Sequence, residues 1–183
     1  MPKFVRDVLD LLRFRFHPLA HYVYPAWQTL LWLSLIGVVG GLAAYEFQAG
    51  VLARIAFFIA LNVIETIVLS AWLMAWWRWV LKRPVQGSLF PLVVLANSAQ
   101  LLEPVLRLFP ESVALALVFP LALYGMLLLI GAVAAALDER RFLVFVAILA
   151  YLPIALALVQ LSMNLTVEWG WVEMAVTPAA NTP

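Results

Sequence analysis

The sequence predicts an all-α fold: an integral membrane bundle of five transmembrane helices preceded by an amphipathic interfacial helix, one membrane domain over residues 1–183. Three observations lead there. Apolar residues make up 66% of the chain and charged residues 11%, against about 45–50% and about 25% in soluble domains. The apolar residues fall in runs close to the ~20 residues that cross a ~30 Å hydrocarbon core. The basic residues between those runs fall on alternate connectors, as a threaded topology requires. A soluble domain of ~150 residues still leaves about a third of its surface in water. This chain has too few polar side chains to cover such a surface, and its mean hydropathy is +1.03.

Residues 3–17 carry Lys3, Arg6, Asp7, Asp10, Arg13 and His17 at helical spacing, with Phe4, Val5, Val8, Leu11 and Leu12 on the opposite side. This pattern predicts an amphipathic helix in the cytoplasmic headgroup layer, with Lys3, Arg6, Arg13 and Arg15 at the membrane surface. A docking helix for a cytosolic partner is the other reading. The same charges interrupt any apolar signal core, so the first span is expected to remain as an anchor.

The expected spans are about 26–45, 55–77, 89–108, 113–137 and 142–163, with an outer-side tail over 164–183. Alternating strand patterns are absent, so helices are the spanning form. With the N-terminus inside, Lys3, Arg6, Arg13, Arg15, Arg78, Lys82, Arg83, Arg140 and Arg141 are cytoplasmic and only Arg54 and Arg107 are outside. That bias predicts an N-in, C-out protein of a bacterial inner membrane. Trp72, Trp76, Trp77 and Trp79 at the inner end of span two, and Trp169 and Trp171 after span five, suit the headgroup level. Gly37 and Gly41 form a GxxxG spacing that allows close helix contact, within the bundle or between copies.

Polar side chains inside the spans are the candidate site. Glu65 falls near the middle of span two with Asn62 one turn away, and span three carries Asn97, Ser98 and Gln100. A carboxylate at mid-bilayer costs at least ~2.5 kcal/mol, so it needs a partner. Glu65 lies ~16 Å below Arg54 and Asn97 ~15 Å below Arg107 at 1.5 Å per residue. The two are therefore expected to meet, with Asn62 and Gln100 one turn further out and Tyr124 of span four near the same depth. This cluster of Asn62, Glu65, Asn97, Gln100 and Tyr124 reads as helix adhesion, as a ligand or lipid-headgroup site, or as a proton path. Glu103 and Arg107, four apart, read as an interfacial ion pair.

The chain has no Cys, which removes thiol, iron–sulfur and disulfide chemistry. His17 and His21 are the only histidines, with no third ligand in their local sequence, so no metal site is expected there. HExxH, P-loop and GxSxG motifs are missing. No catalytic residue and no cofactor are therefore expected, and a net charge of +1 gives no basis for nucleic-acid binding. The expected function is non-catalytic: a membrane scaffold or accessory subunit, partnered by the lipid bilayer and by another membrane protein or a second copy. The alternative is a small proton-coupled transporter or channel centred on Glu65.

The Pro-containing approach Phe16-His17-Pro18-Leu19 leads into five tight spans, and the inner connector Trp79-Val80-Leu81-Lys82-Arg83-Pro84-Val85-Gln86-Gly87-Ser88 enters a span beginning Leu89-Phe90-Pro91-Leu92-Val93-Val94-Leu95-Ala96-Asn97-Ser98-Ala99. Over most of residues 1–165 this layout resembles the bacterial members of the Yip-domain family of five-span membrane proteins. The resemblance implies an integral membrane protein without an assigned reaction.

Overall fold

A computed structural model describes residues 2–106 and 108–172, and all regular structure among them is helical. The helices are α1 (Lys3–Leu12), α2 (Ala26–Ala43), α3 (Val51–Ala75), α4 (Phe90–Ala96), α5 (Glu103–Leu106), α6 (Glu111–Leu137) and α7 (Arg141–Glu168). α3 continues into a π-helical turn, Trp76–Val80, and a 3₁₀ stretch, Asn97–Leu102, joins α4 to α5.

Four helices are long and apolar enough to cross a membrane: Ala26–Ala43, Val51–Val80, Glu111–Leu137 and Arg141–Glu168. Their outward faces keep large apolar side chains exposed, such as Phe119 at 74% and Leu156 at 66%. Water would penalise this arrangement, and hydrocarbon suits it.

The segment expected as a continuous span over 89–108 is instead Phe90–Leu106, a broken helix of 17 residues at most. Pro104 has no N–H for the carbonyl of Gln100 and its ring crowds that carbonyl, so the α pattern fails in the preceding turn. The 3₁₀ stretch rises ~2.0 Å per residue, so the segment still reaches about 28 Å. Its two ends lie at opposite ends of the bundle. At one end, Arg83 just before the segment pairs with Glu139 in the α6–α7 turn. At the other, Glu103 and Pro104 share a cavity with Ala43, Ala44 and Glu46 after α2. That second end also holds Trp171, whose carbonyl accepts from Gln48 N–H at 2.8 Å.

α4 is the centre of the core. Leu92, Val93, Val94 and Leu95 have no exposed surface, and α1, α2, α3 and α6 all pack on this helix. α2 and α3 lie closest to each other, and Gly37 and Gly41 are the reason. A Cβ on Gly37 would stand 2.6 Å from Ile59 Cα, and one on Gly41 2.6 Å from Ile55 Cα. The GxxxG spacing therefore serves contact inside the bundle.

α1 differs from a helix lying on lipid. Phe4, Val8 and Leu11 are buried in the protein core together with Asp7, which the residue spacing assigned to the polar side. Phe14, at φ 59°, reverses the chain after α1, and its ring packs on Tyr124 of α6. Phe16 then lies against Gly131. Lys3, Arg6, Arg13 and Arg15 remain exposed. The expected Glu103–Arg107 pair involves Arg107, and the end of the expected tail covers 173–183; both lie outside the described residues.

Candidate polar site in the helix bundle

Asn97 was expected to meet Glu65, but its bond is made to the neighbouring Thr66. The Asn97 amide donates to Thr66 Oγ1 at 2.9 Å, and Thr66 is fully buried. Glu65, the residue before Thr66, is rotated by 100° about the α3 axis, which takes it off the face that meets Asn97. Asn62 is buried and donates to the Phe58 carbonyl of its own helix at 2.9 Å. Tyr124 leaves the expected cluster altogether: its hydroxyl donates to the Leu12 carbonyl at 2.5 Å and ties α6 to the end of α1.

Two cavities bring the remaining residues together. The larger, about 750 Å³, opens between α3, the 3₁₀ stretch, α6 and α7. Asn97, Gln100 and Tyr151 line its polar side, and Glu46, Glu103 and Glu111 also line it. The smaller, about 270 Å³, is shared by Asn62, Gln100, Glu46 and Glu103. Asn62 and Gln100 thus share one space and Asn97 and Gln100 another, while Glu65 lines neither.

Several polar contacts were not found from the sequence. Trp32 Nε1 donates to Ser98 Oγ at 2.8 Å, joining α2 to the 3₁₀ stretch, and Trp72 Nε1 donates to the Ala147 carbonyl at 2.9 Å, joining α3 to α7. Thr66 and Ser70 lie one turn apart on α3, and Ser70 donates to the Thr66 carbonyl at 2.6 Å. Their i, i+4 spacing was a readable signal for a small polar stripe.

A second cluster gathers under α1. Asp7, with its side chain 1% exposed, accepts from the Tyr24 hydroxyl at 2.5 Å and stands 3.1 Å from His21 Nε2. His17 and His21 stack with ring centroids 4.4 Å apart, and Lys3 Nζ donates to the His21 carbonyl at 2.6 Å. Burial pushes the Asp7 carboxyl up, but the bond from the Tyr24 hydroxyl, the close approach of His21 and the Lys3 charge outweigh it and hold Asp7 below the usual carboxylate range. Burial and the adjacent carboxylate both raise Tyr24. The cluster pins α1 to the start of α2. Among the described residues, no group of three His, Asp or Glu side chains could hold a metal ion.

No family model matches the chain, and no curated protein or solved structure matches it either.

Proposed function

We propose that this chain is a non-catalytic scaffold or accessory subunit of a membrane protein complex. One observation carries the reading: four polar side chains within the bundle bond across to a neighbouring segment. Asn97–Thr66, Trp32–Ser98, Trp72–Ala147 and Tyr124–Leu12 each fasten one segment to another. Such bonds contribute about 0.6–2 kcal/mol each in a membrane and specify one arrangement of helices.

In this reading the chain crosses a bacterial inner membrane five times, with Phe90–Leu106 as the short, protein-wrapped crossing. Non-α backbone is acceptable at membrane depth where protein surrounds it. Five crossings leave the N-terminus in the cytoplasm and the C-terminus outside, with nine of the eleven Lys and Arg residues on the inner side. The exposed Lys3, Arg6, Arg13 and Arg15 then meet anionic headgroups or an acidic partner.

The second reading, a proton-coupled carrier centred on Glu65, is favoured by the place of that carboxyl inside the long apolar helix Val51–Val80. Two measurements decide. Purification in mild detergent is expected to retain a stoichiometric membrane partner, and proton flux in proteoliposomes is expected to equal that of empty liposomes. A lone monomer counts against the accessory-subunit reading. A flux that Glu65→Gln abolishes while the fold persists establishes the carrier.

A further inference from the structure

We propose that the exposed face of α1 binds phospholipid phosphates drawn toward mid-membrane, so that the protein thins the bilayer on the flank where α1 lies between α2 and α6.

Two contacts fix the height of this face. The Leu12 carbonyl accepts from the Tyr124 hydroxyl, and the Phe16 ring lies against Gly131. Arg13 and Arg15 stand between those heights, and both are exposed, as is Arg6. At 1.5 Å per residue, α6 runs ~20 Å past Tyr124 and ~9 Å past Gly131 before it ends at Leu137. A second tier of basic side chains lies at that end, with Arg140 and Arg141 at the α6–α7 turn and Arg83 paired to Glu139. One flat headgroup plane cannot serve both tiers.

The surroundings of α1 identify the anion as a lipid. Trp32 reaches Ser98, and a Cβ on Gly125 would touch Ala99, so Leu31 of α2 and Leu127 of α6 flank α1 at the height of Tyr124. Both are exposed and suit hydrocarbon. Arg6 Nε stands 3.8 Å from Asp7, and an Arg15 nitrogen stands 4.0 Å from Asp10. Those separations are too long for hydrogen bonds, so the guanidinium donors remain for a phosphate, which they can grip in pairs.

Helix lengths agree. α2, whose start is tied to α1 through Tyr24 and Asp7, has 18 residues and is ~27 Å long. α7 has 28 residues and is ~42 Å long. It packs on α3 and α6, and its exposed apolar side chains continue to Phe142 beside the turn. A ~30 Å hydrocarbon layer thus meets a short wall on one side and a long wall on the other, and a bilayer meets a short wall by thinning. Snorkelling and thinning together relieve the cost of charge at this depth. A scaffold and a carrier could each act in this way, in either orientation, because both tiers belong to the same half of the bundle.

The test uses spin labels, since the chain has no Cys and one substitution places each label. Leu9→Cys reports on the exposed face of α1 with every Arg retained. Leu149→Cys reports on α7, ~12 Å from Arg141 and so nearer the turn than Tyr124 is. The full chain is reconstituted in vesicles of phosphatidylcholine and phosphatidylglycerol at three to one. A water-soluble nickel chelate is expected to relax the Leu9→Cys label at least threefold more than the Leu149→Cys label, which molecular oxygen relaxes instead. Equal access of the chelate to both labels means a flat boundary and overturns the proposal. In the unlabelled protein, spin-labelled phosphatidylglycerol is expected to associate at least threefold more than spin-labelled phosphatidylcholine. Arg13→Gln with Arg15→Gln is expected to remove at least half of that preference at unchanged melting temperature, because both side chains are exposed. A wet Leu9→Cys label with no lipid preference makes α1 a docking face for a soluble acidic partner, and it also overturns the proposal.

Discussion

Placing a methyl group on Gly37 tests the α2–α3 contact directly. The new Cβ of Gly37→Ala would stand 2.6 Å from Ile59 Cα, whereas carbon atoms rest at about 3.5–4.0 Å. Backbone cannot swing aside, so the helices must separate by roughly 0.9 Å or more. A gap of 0.5–1 Å forfeits about a quarter to a half of each contact's attraction along the seam. Overpacking of this kind costs about 1–3 kcal/mol, and the better helix propensity of Ala returns up to about 1 kcal/mol. With that return the net loss is about 0–2 kcal/mol, and the loss relative to Gly40→Ala, which gains the same propensity, is about 1–3 kcal/mol. Gly41→Ala meets Ile55 backbone at the same 2.6 Å and should behave alike. The double variant should lose less than the sum, because both push apart one helix pair. Gly40→Ala is the internal control: its nearest neighbour is a ring atom of Phe58 at 3.2 Å, which can turn away. Unfolding in mixed detergent micelles gives the comparison. If Gly37→Ala and Gly41→Ala are as stable as Gly40→Ala, the close approach of α2 and α3 is wrong.

Three further outcomes follow from individual contacts. Asp7→Asn should cost about 1.5–3 kcal/mol near neutral pH, since a buried carboxylate loses charge-assisted bonds. Because Asp7 titrates below its unfolded value of 3.8, its contribution is complete above about that pH and fades as pH falls through the lower folded value; melting curves of wild type and variant should therefore converge in strong acid, and a constant gap at all pH values argues against the cluster. Tyr124→Phe removes the bond to the Leu12 carbonyl, so trypsin should cut faster at the exposed Arg13 and Arg15; an unchanged rate shows that the bond does not hold α1 down. Pro104→Ala restores the N–H that the preceding turn lacks, and amide exchange at Asn97–Leu102 should slow as α-helical bonding extends; no change would mean that Pro104 is not what breaks the helix.

The four long helices were legible because their apolar runs exceed what water tolerates, and axial rise alone gave the relative height of α3 and Asn97. Rotation about the axis was not legible. One residue changes azimuth by 100°, which is why Thr66 and not Glu65 meets Asn97. Periodicity also identified α1 as a helix with one apolar side, but it cannot say what covers that side. Asp7 belongs to the buried side because Tyr24 and His21 return to it, over a path set by Phe14, Pro18 and Pro25. The break after Ala96 was implicit in Pro104, since a proline removes a bond one turn upstream. The lining of the large cavity could not be read, because Tyr151 comes from a helix distant in sequence and no spacing rule connects it to Asn97.

Asn97–Thr66 is one of the four polar joints that fasten one segment of the bundle to another. A double-mutant cycle on Asn97→Ala and Thr66→Val, read by unfolding in mixed detergent micelles, addresses it most directly. A coupling of about 0.6 kcal/mol, and at most about 1.7 kcal/mol, is expected, the mean and the maximum found for hydrogen bonds between membrane helices. A coupling indistinguishable from zero, with both single variants as stable as wild type, contradicts it.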